Sequence, residues 1–410
     1  MWLVGATVVD GTGRDPVTDQ AVLVENGRIT QVGGTPPPGA DVVDCSGGMT
    51  LVPGLIDAHV HLGLSSDIDA SFGKRLSVAE LAADMFANCR QTLEAGFTTV
   101  RDVGGIDAGL VNVVARGKIP GPRILSCGPV LCQTGGHGYL APEWEPTHDW
   151  SRHDIPGLRS LSLLSDGPDE MRRNAREAFR RGARFLKLCV TGGVVSHHDS
   201  LTDTQFSAEE IAVAVQEANA RGTYVTVHAH NNQGVRQAVL AGVRGVEHGS
   251  QIDDDTAALM AEHDVALVPT LAVVRALLDD ATKSGLTADV AARVGVAELG
   301  QIEAIHAARR AGVRIGLGSD LIGPDQSGRG TELSIRARIE SPMAALVSAT
   351  SVNADILGIG ADTGTIEAGK RADLVGFLGN PLEDPEIFAD RDKVGLVIQD
   401  GRIVKNLRSL

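Results

Sequence analysis

Short apolar runs and amphipathic stretches alternate along the middle of the chain. Eight runs rich in Val, Ile and Leu predict strands, at 54–63, 97–104, 122–128, 183–193, 223–230, 245–250, 265–271 and 313–320. Helix-like spacing of apolar residues occurs between several of them, at 77–96, 168–182, 207–222 and 231–242. Each of these stretches ends in glycine, as helices often do. Eight strands alternating with helices predict an α/β fold of the (β/α)8 TIM barrel type.

A doubly wound sheet is the rival architecture. It needs a glycine-rich phosphate loop after its first strand, and "GLIDAHVHLG" at 54–63 is not such a loop. Within the predicted helices, Ser207 and Glu210 have the spacing of a capping box. The barrel is therefore the better prediction.

The two ends of the chain have a different pattern from the middle. Residues 1–53 and 362–410 contain short strand patterns divided by Gly, Asn and Asp. The "ENGR" step at 25–28 and the "QDGR" step at 399–402 predict two-residue hairpin turns. Each end is too small to fold alone. We expect them to pair into one small β-sandwich domain, with the barrel spanning 54–361.

Composition and charge exclude several classes of partner. The 410 residues carry a formal net charge of −15, which disfavours a general nucleic-acid binder because phosphates would not be neutralised. No apolar run reaches the roughly 18 residues that cross a bilayer, and we find no secretory signal. Five scattered cysteines without a CxxC spacing predict reduced thiols. We expect a cytoplasmic protein without a membrane partner.

Polar side chains with metal-binding chemistry stand at the ends of the predicted strands. Because the carboxyl ends of barrel strands meet at one face, we expect these residues to converge: His59, His61, Lys187, His228, His230, His248 and Asp320. The first two are one residue apart, so they point to the same side of their strand. Imidazoles with a carboxylate suit Zn²⁺ or a similar divalent ion.

Each residue of this set also has an ordinary explanation, such as a packed imidazole or a helix cap. A shared metal site accounts for the imidazoles and the carboxylate together. Lys187 is the exception, because an ammonium group has no lone pair for a metal. A deprotonated lysine can instead add carbon dioxide, and the resulting carbamate has two oxygens that could bridge two ions.

Several of these segments resemble motifs of one enzyme family. "PGLIDAHVHLG", "FLKLCVTGG", "TVHAHNNQGVRQAVLAGVRGVEHGSQID" and "GLGSD" resemble the metal-binding strands of the amidohydrolase superfamily of binuclear type. The resemblance covers nearly the whole chain. "QTGGHG" around His137 and the "TYVTVHAH…EHGSQID" run are most similar to prolidase-like and Xaa-Lys or Xaa-Arg dipeptidases and related N-acyl amino acid hydrolases.

The resemblance implies two divalent metal ions, with zinc as the expected element. The two first-strand imidazoles and Asp320 would hold one ion, and His228 and His248 would hold the other. A carboxylated Lys187 would bridge the ions together with a hydroxide that attacks the substrate. Asp320 would act as general base and acid.

Two further histidines would lie near a substrate carboxylate. His137 is placed there by the resemblance, and His230 stands where many relatives have a tyrosine that contacts that group. The predicted substrate is therefore a small molecule with an amide bond and a carboxylate. Because His230 departs from the pattern, the side-chain preference of the enzyme stays open.

Three functional hypotheses follow. The first is metal-dependent hydrolysis of a dipeptide or N-acyl amino acid by a homo-oligomeric enzyme. The second is the same chemistry on a carbamate, urea or aryl amide. The third is a non-catalytic barrel kept as a scaffold, which the complete ligand set disfavours.

Other polar residues near the predicted strand ends have weaker signals. Arg101 and Asp102 follow the second strand and are interpreted as structural support. His197 and His198 are expected in a loop, more often solvated than lining a pocket. The segment 140–154 is long and rich in Trp, His and acid, which fits a loop that covers a pocket or a surface excursion.

Overall fold

The computed structural model describes residues 1–65, 76–142, 144–195, 198–284 and 288–407. Its strands are β1 Trp2–Val8, β2 Val17–Glu25, β3 Arg28–Val32, β4 Val42–Asp44, β5 Met49–Pro53, β6 Leu55–Val60, β7 Phe97–Asp102, β8 Arg123–Ser126, β9 Val130–Cys132, β10 Ser162–Leu164, β11 Leu186–Cys189, β12 Val225–Ala229, β13 Gly245–His248, β14 Ala266–Val268, β15 Leu374–Leu378, β16 Val394–Gln399 and β17 Arg402–Asn406.

Its α-helices are α1 Val78–Glu94, α2 Ala108–Ala115, α3 Pro168–Arg180, α4 Ala208–Asn219, α5 Asn232–Ala241, α6 Asp254–Glu262, α7 Leu271–Ser284, α8 Ala288–Ala311, α9 Gly330–Ile339, α10 Pro342–Val347 and α11 Asn353–Ile356. The helices predicted at 77–96, 168–182, 207–222 and 231–242 are all confirmed. In the described part of the chain, none of the helices has the length and hydropathy needed to cross a bilayer.

The two ends of the chain form one sheet of eight strands. Its order is β17-β16-β15-β5-β1-β2-β3, and β4 pairs with β1. β15 joins the two ends by running antiparallel to β5, with Leu374 opposite Pro53. The predicted pairing of the chain ends is confirmed, while their arrangement as a sandwich stays a prediction.

Both predicted hairpin turns are confirmed. Asn26 and Gly27 connect β2 to β3 with φ of 50° and 79°, and Asp400 and Gly401 connect β16 to β17 with φ of 48° and 74°. Positive φ at both central residues is the type I′ geometry, which matches the twist of the flanking strands. Asn, Asp and Gly tolerate this conformation, so the local sequence dictates the turn.

The middle of the chain contains parallel sheets. β6, β7 and β8 form one sheet, and β10-β9-β11-β12-β13-β14 form another. Helices α3 to α6 pack against the second sheet around a core of Val, Leu, Ile and Ala side chains. β9 and β10 were not predicted from the sequence, because strands of three residues are too short to show a period.

The predicted eighth strand at 313–320 is not a regular strand. It has one isolated bridge, between Ile315 and Leu267. The reason is that side chains accept the backbone hydrogen bonds: Leu317 N–H donates to Asn353 Oδ1 at 3.0 Å, and Ser319 N–H donates to Asp57 Oδ1 at 3.0 Å.

Segment 313–320 nevertheless lies between β14 and β6. Gly316 N–H donates to Leu267 O at 2.8 Å, and Ala58 N–H donates to Leu317 O at 2.9 Å. These bonds place Asp320 beside the carboxyl end of β6. Complete closure of the strands into a barrel stays a prediction.

Candidate metal centre

The carboxyl end of β6 and the end of segment 313–320 meet at Asp320. Asp320 Oδ1 lies 3.3 Å from His59 Nε2 and 3.2 Å from His61 Nε2. Burial acts to raise the pKa of Asp320, but the electrostatic influence of His59 and His248 and the hydrogen bonds of His59 and His61 outweigh it and hold the pKa well below its usual range. Asp320 is therefore a carboxylate at neutral pH, as a metal ligand or general base requires.

His248 completes a compact group with two of these residues. His59, His248 and Asp320 each offer a ligand atom, and the three atoms lie within 4.8 Å of one another. Two of the three, His248 and Asp320, have left-handed backbone conformations, with φ of 68° and 53°. Such conformations cost on the order of 1–3 kcal/mol and are common at functional sites.

The His228 ring is next to the ring of His248, a member of this group. Its ring centre is 4.6 Å from that of His248 and 3.9 Å from that of His137, on which it stacks. His228 Nε2 lies 3.2 Å from Gly192 O, so Nδ1 is the nitrogen left for another partner. Burial, together with the neighbouring imidazoles, holds the pKa of His228 well below its usual range, so the ring is a neutral potential ligand.

Lys187 lies on β11, which pairs with β12, and Thr226 is its neighbour on that strand. Its side chain is buried, and burial is the largest cause of the lowered pKa of Lys187, although nearby Glu247 and Asp320 oppose it. A lower pKa favours the neutral amine, which is the form that reacts with carbon dioxide. Lys187 is thus buried on the strand that pairs with the strand of His228.

Glu247 contacts a predicted metal ligand and was not identified from the sequence. It accepts from His59 Nδ1 at 2.8 Å and from Arg101 Nη2 at 2.6 Å, and Thr226 also bonds to it. Burial acts to raise the pKa of Glu247, but Arg101, Lys187 and His59 outweigh it and lower the pKa. A carboxylate on Nδ1 fixes the ring and leaves His59 Nε2 free for a ligand role.

A backbone carbonyl plays the same part for the second first-strand imidazole. His61 Nδ1 donates to Gly104 O at 2.8 Å, so His61 Nε2 also faces Asp320. Support of this kind is typical of histidines that bind metals. The two imidazoles one residue apart therefore present equivalent nitrogens to one carboxylate.

His230 and His137 lie next to the group of predicted ligands. The His230 ring stacks 5.1 Å from that of His248, and its Nδ1 lies 2.7 Å from Ser250 Oγ. Burial lowers the pKa of His230 to about 3 and also lowers the pKa of His137. Both rings are thus neutral and have one N–H each. His230 would donate to a carboxylate from Nε2, with Nδ1 accepting from the Ser250 hydroxyl. Contact of either ring with a substrate stays a prediction.

Arg101 and Asp102 do not pair with each other. Consecutive strand residues point to opposite faces, and Arg101 donates to Glu247 and Ala58 O, whereas Asp102 accepts from the N–H groups of Leu62 at 2.8 Å and Gly104 at 3.1 Å. Both support the first strand and its end, as interpreted, but by separate bonds.

The segment 140–154 is anchored to β10 and to the loop after β11. Trp150 is buried, and its Nε1–H donates to Ser162 Oγ at 2.9 Å. His198 Nε2 lies 2.6 Å from Ala141 O, which forms the link to the loop and makes His198 only partly solvated. His197 lies outside the described residues. Trp150 and Ala141 of the segment are therefore packed against neighbouring elements, and its role as a cover over a pocket stays a prediction.

Comparison with known proteins identifies the family. The sequence model of the amidohydrolase family matches residues 50–404. An ochratoxinase from Aspergillus niger is 32% identical over 369 residues, which cover 87% of this chain and 75% of the fungal protein.

Two solved structures resemble the whole chain. A prolidase in complex with N-methylphosphonate-L-proline has a TM-score of 0.91 and 35% identity, over 99% of both chains. A Xaa-Pro dipeptidase with bound methionine in its active site has a TM-score of 0.87 and 28% identity, again over 99% of both chains. These likenesses imply a TIM-barrel-type fold and confirm the prolidase-like resemblance predicted from the motifs. The chain belongs to the amidohydrolase family and is a hydrolytic enzyme that acts on carbon–nitrogen bonds.

Proposed function

We propose that the chain hydrolyses the amide bond of a dipeptide or N-acyl amino acid that bears a free carboxylate, with the help of two divalent ions. One observation carries the proposal: His59, His248 and Asp320 offer ligand atoms within 4.8 Å of one another. Its support is the 35% identity to a prolidase whose structure holds a proline derivative.

The donor set fits divalent ions, and zinc among them. Neutral imidazole nitrogens and carboxylate oxygens are ligands that zinc prefers, and Glu247 supports His59 from behind at 2.8 Å. The pKa values of His228 and His248 lie well below their usual range, so each ring is neutral and has one nitrogen without a proton. The residues that would hold the ions are His59, His61, Lys187 as its carbamate, His228, His248 and Asp320.

Such ions, when bound, make water more acidic and polarise a substrate carbonyl. Asp320 Oδ1 lies within 3.3 Å of His59 and His61, and Oδ2 lies 3.8 Å from His248 Nδ1. Asp320 would accept a proton from the attacking water. Asp320 would then pass that proton to the leaving nitrogen. His137 and His230 would donate hydrogen bonds to the substrate carboxylate or to the oxyanion that develops during attack.

Other properties of the protein stay predictions. They are a homo-oligomeric state, a cytoplasmic location and the absence of nucleic-acid and membrane partners. The domain boundaries, 1–53 with 362–410 and 54–361, are likewise proposed from the pattern of the chain.

A substrate panel tests the proposal. The zinc-loaded protein is incubated with Xaa-Pro and Xaa-Arg dipeptides, N-acyl amino acids, their C-terminal amides and phenylureas. Ochratoxin is included because the fungal relative is an ochratoxinase. We expect hydrolysis of carboxylate-bearing amides, with kcat/KM at least about tenfold lower for the matching C-terminal amides, because a lost ionic hydrogen bond is worth about 1.5–3 kcal/mol. Activity confined to uncharged amides or ureas would contradict the proposal.

The Asp320→Asn variant tests the proposed proton transfer. Asparagine keeps one oxygen for a metal but cannot accept the proton, so we expect most of the bound zinc to remain and kcat to fall at least about a hundredfold. Zinc is measured by elemental analysis of the same samples. Near-normal turnover would show that another group moves the proton.

A further inference from the structure

Two imidazoles of the site have the same kind of support. His230 Nδ1 lies 2.7 Å from Ser250 Oγ, and His248 Nδ1 lies 2.7 Å from Thr270 Oγ1. All four residues are buried. In both cases the hydroxyl comes from the end of the next strand, since Ser250 follows β13 and Thr270 follows β14. The two rings stack with only 14° between their planes, so their orientations are fixed together.

One helix contacts both hydroxyl residues through two consecutive positions. On α8, Gln301 Oε1 accepts from Thr270 N–H at 2.7 Å, and Gln301 is buried. The preceding residue, Gly300, packs directly on Ser250: a methyl group at Gly300 would lie 1.8 Å from Ser250 O. Only a residue without a side chain allows this approach.

Glycine inside a helix is less favourable than alanine, because its backbone loses more conformational freedom on folding. At Gly300 this cost is offset by the close approach to Ser250, which an alanine would prevent. At Gly295, on the same helix, a methyl group would meet no atom of another described element within 4 Å. The two glycines of α8 therefore differ in surroundings, and only Gly300 touches the support of the site.

We propose that the Gly300–Gln301 step of α8 is a positioning element of the active site. It holds Ser250 and Thr270 in place, and these hydroxyls orient His230 toward the substrate and His248 toward the metal. The inference rests on the proposed function, because that function gives His230 and His248 their roles. The helix itself does not touch the reacting groups.

Gly300→Ala, with Gly295→Ala as its matched control, tests this element. Both variants add one methyl to α8. For Gly300→Ala we expect the zinc dissociation constant, measured by chelator competition, to rise about tenfold, the scale typical of lost ligand support, and kcat/KM to fall at least as much. For Gly295→Ala we expect both values to stay within about twofold. Equal values for the two variants would overturn the proposal.

A second pair of variants covers the case in which Gly300→Ala does not fold. Thr270→Val removes the hydroxyl and keeps the shape, whereas Thr270→Ser keeps the hydroxyl. We expect the zinc dissociation constant to rise about tenfold for valine and to stay within about threefold for serine. Equal zinc affinities for the two would overturn the proposal.

A measurement without metal separates this inference from the proposed function. The ring ¹⁵N shifts of His248 in the metal-free protein report its tautomer. We expect one tautomer in the wild type and Thr270→Ser and a mixture in Thr270→Val. The same tautomer in all three would overturn the positioning role. A wild type that shows the expected tautomer but neither binds zinc nor cleaves any amide of the panel would overturn the proposed function alone.

Discussion

The Glu247 carboxylate lies beneath the site and bonds to both the Arg101 guanidinium and the His59 ring. The side chains of Glu247 and Arg101 have no exposed surface. Removing one partner of such a pair leaves a buried charge uncompensated, and this costs more than the intact pair contributes. The residue therefore affects both the fold and the orientation of a predicted metal ligand.

We expect Glu247→Gln to lower the free energy of unfolding of the metal-free protein by about 3–5 kcal/mol, because the Arg101 charge stays buried. Urea unfolding measures the change. Glu298→Gln is the control, since Glu298 pairs with Arg275 at the surface and should change stability by at most about 1 kcal/mol. Equal losses in the two variants would contradict the role of the buried charge.

The residues at the strand ends could be predicted from the sequence, but Glu247 could not. His59 and Asp320 follow apolar runs, and barrel strands present their carboxyl ends to one face. Glu247 precedes His248 directly, and strand alternation places consecutive residues on opposite faces. Its partner Arg101 is 146 positions away, so no local signal identifies the pair.

At the scale of elements, Glu332 connects two helices. It lies on α9, and its Oε2 accepts from Ala272 N–H at 2.6 Å, at the start of α7. The carboxyl group thus satisfies a backbone donor that a helix start leaves unpaired. Burial raises the pKa of Glu332 to about 8, although the charge of Arg336 opposes the shift.

This raised pKa predicts a pH dependence of stability. Because the folded protein binds the Glu332 proton more tightly than the unfolded chain, its contribution to stability is present below about pH 4.5 and is lost as pH rises through about 8. Glu332→Gln keeps an acceptor oxygen but cannot ionise. Urea unfolding measures the free energy of unfolding of both proteins at each pH. We expect the value of the variant minus that of the wild type to increase from pH 5 to pH 8 and then level off. A difference that does not change with pH would contradict this.

Elements with strong local signals were predicted well. The capping box of Ser207 and Glu210 at the start of α4 is confirmed by bonds in both directions, because it needs only residues three apart. The prediction of a regular strand at 313–320 was wrong, because Asn353 and Asp57 accept hydrogen bonds from backbone N–H groups of this segment. Those acceptors come from distant parts of the chain and have no signature in the segment itself.

At the scale of the whole molecule, the predicted ligands span residues 59 to 320 of the sequence. The strands from β6 to segment 313–320 must all be in place before these side chains meet. Ions bound there would be held by the native state and not by the unfolded chain. Metal binding should therefore stabilise the entire fold, by about 4 kcal/mol at a thousandfold excess over the dissociation constant.

Removal of metal tests this coupling. We expect a strong chelator to lower the Tm of the zinc-loaded protein by several degrees, and added Zn²⁺ to restore it, as free-energy changes of this size predict. For Lys187→Ala the difference in Tm between the zinc-loaded and the chelator-treated protein should be smaller, because the carbamate that would bridge the ions is lost. An unchanged Tm in the wild type after complete zinc removal, verified by elemental analysis, would contradict the prediction.

The sequence by itself determined the features that depend on near neighbours: the hairpin turns at Asn26–Gly27 and Asp400–Gly401, the helix caps, and the placing of metal-type side chains at strand ends. Backbone sterics and the strand period act over a few residues, so a local pattern is enough. The tertiary structure alone decided which distant groups meet, such as Glu247 with Arg101 and Gly300 with Ser250. Those contacts depend on packing between elements far apart in the chain, and no local rule encodes that packing.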